Sequence, residues 1–275
     1  MLASQRQLEK IVQRPFLRWA GSKRQLVGAL AAYWSDDFDR YVEPFAGSAC
    51  LFFHVRPKAA LLGDSNDALI NTYLQVRDHA EEVIEHLRRI PLGSDAYYRV
   101  RAADSDGASD PLRAARFIYL NRFCFNGIYR TNKSGRFNVP YGGEKSGALP
   151  SDDELRAISQ LLASAKFCSG DFTGTLANCV PGDFVYLDPP YHCSTTRVFS
   201  EYTAIGFSRE DVSRLRNCLQ DLDAKGIAFA LSYADNEEGA YLASGFRKDF
   251  LAVRRNVAGF TGSRRMAKEV LVTNT

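Results

Sequence analysis

Short apolar runs, each bounded by polar residues, glycine or proline, recur along the chain like the strands of a buried sheet. They fall at 41–45, 59–62, 165–168, 184–187, 227–231, 249–253 and 269–273. Between several of them the apolar spacing changes to that of a helix. Ser208 and Asp211 form a capping box, Val212, Leu215, Leu219 and Leu222 mark one stripe, and Gly226 is placed to end that helix. Alternating strands and helices predict an α/β fold around a mostly parallel sheet. The last two runs have no helix between them, which predicts an antiparallel last strand.

From about 70 to 163 this alternation stops and helical segments dominate. Leu74, Val83, Ile84 and Leu87 predict one helix over 71–90, ending before Pro91. Asp110 and Pro111 read as the N-cap and first position of a helix through Phe123. Ser151 with Glu154 is a second capping box. Within this block RTNKSGRFNVPYGG has the composition of a basic β-hairpin over about 129–141, turning at Lys133, Ser134 and Gly135. The expected organisation is a discontinuous α/β domain over 1–67 and 154–275. A helical insertion over 68–153, carrying the hairpin, interrupts it.

With 275 residues, 45% of them hydrophobic, the chain can bury a full core. No apolar run approaches the roughly 18 residues of a membrane span. The opening MLASQRQLEKIVQRPF is too charged for a secretory signal. Six scattered cysteines and four histidines without ligand spacing argue against a zinc site or a disulfide framework. These features predict a reduced, cytoplasmic protein with no metal. The net charge of +3 says little until its distribution is considered. Segment 110–150 carries a net +5 and segment 247–268 a net +6. Two basic segments on a nearly balanced chain suggest a face for a polyanion, with solvated basic loops as the alternative.

Candidate chemistry gathers at the ends of the predicted strands. In YVEPFAGSAC a strand ends at Pro44 and Phe45, and Ala46, Gly47, Ser48 and Ala49 lead into a helix. Such small residues let backbone N–H groups approach a ligand at the sheet's carboxyl edge, although many ordinary tight turns look similar. LLGDSN puts Asp64 at the end of the next strand, where an acid can accept hydrogen bonds from ribose hydroxyls. FLRWAGSKRQL brings Trp19, Gly21 and Lys23 together; the lysine suits a ligand carboxylate, the tryptophan equally a core. Asp171 and Phe172 offer an acid and a ring for a purine, or simply a loop cap. YLDPPY is the sharpest of these stretches. Its two prolines stiffen the loop, so Asp188 and the Pro189 carbonyl become two fixed acceptors for a planar NH₂ group, with the Tyr191 ring beside them.

These motifs in this order resemble the Dam-type DNA adenine-N6 methyltransferases. The resemblance rests on FLRWAGSK, VEPFAGSA, DSN, LNRFCFNGIYR with GRFNVPYG, GDF, YLDPPY and KEVLVTN, and it runs from Phe16 to Asn274. It implies a Rossmann-like methyltransferase sheet, S-adenosylmethionine as donor, and duplex DNA as substrate, with the helical insertion as target-recognition domain. On that resemblance Trp19, Lys23, Phe45, Gly47, Asp64, Asp171, Phe172 and Asp188 serve the donor, and Asp188, Pro189 and Tyr191 form the catalytic loop. Phe125 and Asn126 lie where the family opens the duplex beside a flipped base. Asn126, Arg130 and Pro140 match positions that read GATC. Arg18, Ile128, Asn132, Lys133 and Arg136 join them on the DNA face, and Arg254 and Arg264 lie in a basic stretch expected to contact phosphates. Ala49 stands where the family has a second glycine, Ser22 replaces a frequent glycine, Arg18 replaces a common lysine, and 141–144 match the family less well. The expected protein acts as a monomer or weak dimer on DNA in a bacterial or phage-infected cell. An rRNA adenine methyltransferase, a cytosine-N4 enzyme and a catalytically silent DNA-binding module are the rival readings.

Overall fold

The computed structural model describes residues 14–103, 107–132, 134–143, 146–191, 207–254 and 266–275, with side chains omitted at 252–254 and 266–268. Seven strands form one sheet: β1 Arg40–Glu43, β2 Ala60–Asp64, β3 Ala165–Ser169, β4 Asp183–Leu187, β5 Ala228–Ala234, β6 Arg247–Arg254 and β7 Met266–Thr273. Their order is β3-β2-β1-β4-β5-β7-β6. The pairs among β1 to β5 are parallel, whereas β7 runs antiparallel to both β5 and β6. The predicted Rossmann-like α/β sheet with an antiparallel last strand is therefore the one observed.

The strands read as unbroken apolar runs because both faces of the sheet are covered. Tyr41, Leu62, Phe184, Tyr186 and Ala230 point to one face, where they share an apolar cluster with Tyr73, Val83, Tyr97, Ile118 and Leu155 of the helices between β2 and β3. Their neighbours Val42, Leu61, Val185, Leu187 and Leu231 point to the other, against Leu176, Leu215, Leu219 and Leu242. This alternation is the two-residue period of a strand acting within a fully buried layer. The first face joins sheet and insertion in one continuous core, so the helical block is packed onto the sheet rather than tethered to it.

Local signals account for most helix ends. Arg209–Ala224 and Asp152–Leu162 both start with the predicted capping boxes, at Ser208 with Asp211 and at Ser151 with Glu154. The helix Asp110–Phe123 starts one residue earlier than expected, with Ser109 in the cap position and Pro111 in its first turn. The helix predicted over 71–90 is instead two, Asp67–Asp78 and Ala80–Arg89. The first begins early because the Asn66 side chain accepts from the Leu69 amide at 3.1 Å. His79 leaves the helical region at φ −134°, ψ 39°. The chain changes direction there because Leu69, Tyr73 and Val76 are fixed beside the sheet and Arg77 reaches the Ala165 carbonyl at 2.8 Å.

The basic segment pairs as a hairpin through isolated bridges rather than a regular ladder. Thr131 bridges Phe137, and Asn138 N–H donates to the Arg130 carbonyl at 3.1 Å. The Asn132 side chain accepts from the Ser134 amide, the Ser134 hydroxyl and the Arg136 amide, which closes the turn. Cys124 bridges Tyr141 at the base, so the loop starts and ends beside the helix Asp110–Phe123. No described helix is long and apolar enough to cross a membrane.

Candidate functional site

In the strand order β1 lies between β2 and β4, so the order reverses beside it, and the carboxyl end of such a reversal is where open α/β sheets bind ligands. The turn after β1 is built for close approach. Gly47 has φ +47°, and its N–H donates to Asp64 Oδ2 at 3.0 Å while its carbonyl accepts from the Tyr73 hydroxyl at 2.7 Å. A Cβ at Gly47 would lie 2.8 Å from Trp19 Cδ1, so a side chain there would displace the indole. Ala49 has φ +51° and is buried. Its methyl group is accommodated, and its cost is that of a left-handed backbone, about 1–2 kcal/mol. This explains why a glycine-like sequence pattern runs through a non-glycine residue.

Asp64 lies at the end of β2, with Oδ1 accepting from the Asn66 amide at 2.9 Å and Oδ2 from Gly47. Burial raises its pKa, and the backbone amides of Gly47, Asn66 and Ser65 oppose that rise. Phe45 and Phe172, from the ends of β1 and β3, meet with ring centroids 5.2 Å apart. Asp171 caps the short helix Phe172–Leu176 through the Thr173 amide at 3.0 Å and pairs with Arg214 at 2.5 Å. Burial pushes its pKa upward, but the bonds from Thr173 and Arg214 prevail and hold it below the ordinary carboxylate range. Arg214 also lies over the Phe172 ring at 5.0 Å.

The second half of the site surrounds Asp188, immediately after β4. Lys23 Nζ lies 2.9 Å from Asp188 Oδ1 and 3.4 Å from Glu269 Oε1, and it donates to the Tyr191 hydroxyl at 3.0 Å. That hydroxyl donates to Glu269 Oε1 at 3.1 Å. Ser232, on β5, donates to Asp188 Oδ1 at 3.2 Å. The Tyr191 ring meets Tyr233 edge-on at 5.0 Å. The Lys23 and Glu269 side chains are 8% and 4% exposed, while that of Asp188 remains 20% exposed and so can be reached from outside.

Burial alone would lower the pKa of Lys23, but Asp188, Tyr191 and Glu269 outweigh it and keep the amine charged. Asp188 is raised by burial and by the charge of Glu269, against the pull of Lys23 and Ser232. Glu43, at the end of β1, accepts from the Tyr41 hydroxyl at 2.9 Å, and burial pushes it well above the ordinary range. Motif reading missed Glu43, Ser232 and Glu269. Each is a polar residue inside an apolar strand run, and that interruption was the available signal.

The residues expected on the DNA face are distributed around the insertion. Phe125, Asn126, Asn132, Arg136 and Pro140 are exposed, while Ile128 is half-buried. Asn126 has φ +54°, and the Phe125 amide donates to the Pro140 carbonyl at 2.9 Å, so these three residues share one tight corner. Arg130 is half-buried and donates from Nε to Asn138 Oδ1 at 2.7 Å. Arg18 differs: its Nη1 reaches the carbonyls of Arg122 at 3.2 Å and Ser146 at 2.5 Å. Its own amide and carbonyl pair with the Asn121 side chain at 2.8 and 2.6 Å. The structure thus places Arg18 as a clasp between the N-terminal motif and the insertion. Lys133 and Arg264 lie outside the described residues, as does the side chain of Arg254. Among the described residues no group of three His, Cys, Asp or Glu side chains is placed to hold a metal ion.

Comparison with known proteins points the same way. Residues 19–256 match the family described as D12 class N6 adenine-specific DNA methyltransferase. The chain is 38% identical over 277 residues to the type II methyltransferase M1.LlaDCHI of Lactococcus lactis subsp. cremoris, covering 98% of both. It is 32% identical to the retron Ec67 DNA adenine methylase of Escherichia coli, covering 94% of this chain and 90% of that one. With a DNA adenine methylase of Vibrio cholerae it shares 30% identity across 96% of each chain.

Proposed function

The chain belongs to the D12 class of N6 adenine-specific DNA methyltransferases, and from that premise we propose that it takes its methyl group from S-adenosylmethionine and delivers it to a flipped-out adenine, in GATC. The observation that carries this reading is the convergence of Gly47, Asp64 and Asp188 on one sheet edge, with Trp19, Lys23 and Tyr191 beside them.

The residues present fit the donor. Gly47 keeps a floor that a Cβ would obstruct, Asp64 lies beside it with two oxygens for ribose hydroxyls, and the Phe45–Phe172 pair offers aromatic faces for a purine. Lys23 carries the positive charge suited to the donor's carboxylate. Asp171, already a cap and an ion-pair partner, contributes its remaining lone pairs to the purine's amino group. When bound, the donor supplies an activated methyl group on a sulfonium sulfur.

The catalytic loop then has to hold the nucleophile. Adenine N6 is a poor nucleophile because its lone pair is delocalised into the ring. Asp188 and the Pro189 carbonyl accept its two hydrogens, which orients the nitrogen and favours the transition state in which it becomes cationic. Lys23 and Ser232 both bind Oδ1 of Asp188. Tyr191 is fixed by its hydroxyl and by Tyr233, so its ring is a prepared stacking surface. Asp188 does not have to deprotonate the neutral amine; it accepts the proton that N6 sheds after the new N–C bond has formed. A base within a duplex cannot reach this loop, so the target must leave the stack.

In this reading residues 68–153 recognise the target, while 1–67 and 154–275 carry donor and chemistry. Phe125 and Asn126 enter the duplex beside the extruded base, and Arg130, held by Asn138, presents its fork to a guanine. Pro140 meets a thymine methyl, and Ile128, Asn132, Lys133, Arg136, Arg254 and Arg264 add contacts along the duplex. The protein acts in the cytoplasm of a bacterial or phage-infected cell as a monomer or weak dimer on DNA.

Expression in a methylation-free host, with methylated adenines mapped by single-molecule sequencing, tests the assignment directly. Modified adenine confined to GATC supports it; another fixed context corrects the sequence read, and modification of rRNA alone refutes it. Arg130→Ala is expected to relax discrimination at one guanine by about 1–3 kcal/mol, read as relative kcat/KM on single-substituted duplexes. An equal loss on every sequence would make Arg130 a phosphate contact instead.

A further inference from the structure

Glu269 reaches the site from the far end of the chain because β7 is antiparallel. Its register partner on β5 is Ala234, two residues beyond Ser232, so the beginning of β7 lies at the edge where β4 ends. One oxygen of this almost fully buried carboxylate accepts from the Tyr191 hydroxyl at 3.1 Å and lies 3.4 Å from Lys23 Nζ. Lys23 itself bridges to Asp188 at 2.9 Å and to Tyr191 at 3.0 Å. Four side chains from three separate segments, the N-terminal motif, the loop after β4 and β7, therefore meet in one cluster.

A second buried carboxylate is costly to keep, and packing alone does not require it: a glutamine has the same shape and can still accept from Tyr191. What only the charged form supplies is competition for Lys23. Glu269 gives the ammonium a second partner at 3.4 Å and adds a negative charge near Asp188; without it the ammonium can settle wholly on Asp188, which weakens that residue as an acceptor. We infer that Glu269 is a positioning residue for methyl transfer, anchoring Tyr191 by its hydroxyl and drawing Lys23 partly off Asp188 so that Asp188 can hold the target amino group. This inference rests on the assignment of Asp188 and Tyr191 to the catalytic loop. Among the described residues the charged and titratable groups facing Asp188 are Lys23 from the N-terminal segment, Glu43 from β1, Tyr186 from β4, Tyr191 from its own loop and Glu269 from β7.

Glu269→Gln and Glu269→Asp, assayed on duplex DNA beside Asp188→Ala, test the idea. Glu269→Gln should melt cooperatively, keep donor binding measurable by calorimetry, and lose about 10- to 100-fold in kcat through misplacement of the acceptor. The acid limb of its kcat profile should move to lower pH, because removing one negative charge lowers the pKa of Asp188. Glu269→Asp restores the charge and should return that limb and part of the rate. Parental kcat in Glu269→Gln, or a loss with the acid limb unmoved and no recovery in Glu269→Asp, would overturn the inference. If Glu269→Gln fails to fold, the limb of Glu269→Asp decides alone: coincidence with the parent supports the inference, and displacement to lower pH refutes it. Activity in Asp188→Ala would instead remove the catalytic-loop assignment on which the inference stands.

Discussion

Asp188→Ala is expected to reduce methyl transfer by about 10³-fold or more while donor binding stays measurable. The loss combines two effects that one carboxylate supplies. The target amino group loses the acceptor that orients it, and the cationic nitrogen loses the negative charge opposite it. The fold should survive, because Lys23 keeps Glu269 at 3.4 Å and the Tyr191 hydroxyl at 3.0 Å and is not left as an unpaired buried cation. In the proposed site donor affinity rests chiefly on Gly47, Asp64 and the aromatic pair, which lie after β1, at the end of β2 and after β1 and β3 rather than on the loop after β4. The experiment therefore separates chemistry from binding. Tritiated methyl incorporation into a GATC duplex reads the first, and calorimetry with the donor or its demethylated product reads the second. Full activity in this variant would sink the catalytic assignment, whereas loss of binding and activity together would move Asp188 from chemistry to donor recognition.

How much of this architecture was legible depended on whether its cause was local. The strands at 184–187 and 227–231 were readable because both faces of the sheet are covered, which makes each run apolar throughout. The capping boxes at Ser151 and Ser208 were readable because cap and partner lie three residues apart. The break at His79 was not, because neither glycine nor proline marks it and its cause is the attachment of Arg77 to the distant Ala165 carbonyl. Within the site, Asp188, Gly47 and Asp64 stood out because a sharp turn after a strand needs a particular local sequence. Glu269 carried no such mark. Its place beside Asp188 arises from the antiparallel return of β7, which only the complete sheet displays. Arg18 shows the same limit from the other side: a basic residue in a family motif, whose guanidinium the fold turns onto two backbone carbonyls.

Lys23→Met should reveal how much of the site's stability rests on one cation. The substitution preserves length and apolar volume but leaves Asp188 and Glu269 facing each other without a counterion. Removing one partner of a buried ion pair costs about 3–5 kcal/mol; because Asp188 keeps 20% of its surface, the lower end applies. About 3 kcal/mol corresponds to a fall in Tm of roughly 6–12 °C for a chain of this size. The pH dependence identifies the cause. Asp188 is already raised by burial in the parent, and Lys23 is the main influence holding it down. Without Lys23 the folded-state pKa of Asp188 rises further above its unfolded value, so the folded variant binds more protons than the folded parent across that interval. Stability of the variant relative to the parent must then increase as pH falls from neutrality, because protonation of Asp188 removes the repulsion. Thermal melts of both proteins between about pH 8 and pH 5 measure this difference. A gap that narrows with acid locates the cost in unpaired charge; a gap that stays constant would attribute it to packing and remove Lys23 from the electrostatic centre of the site.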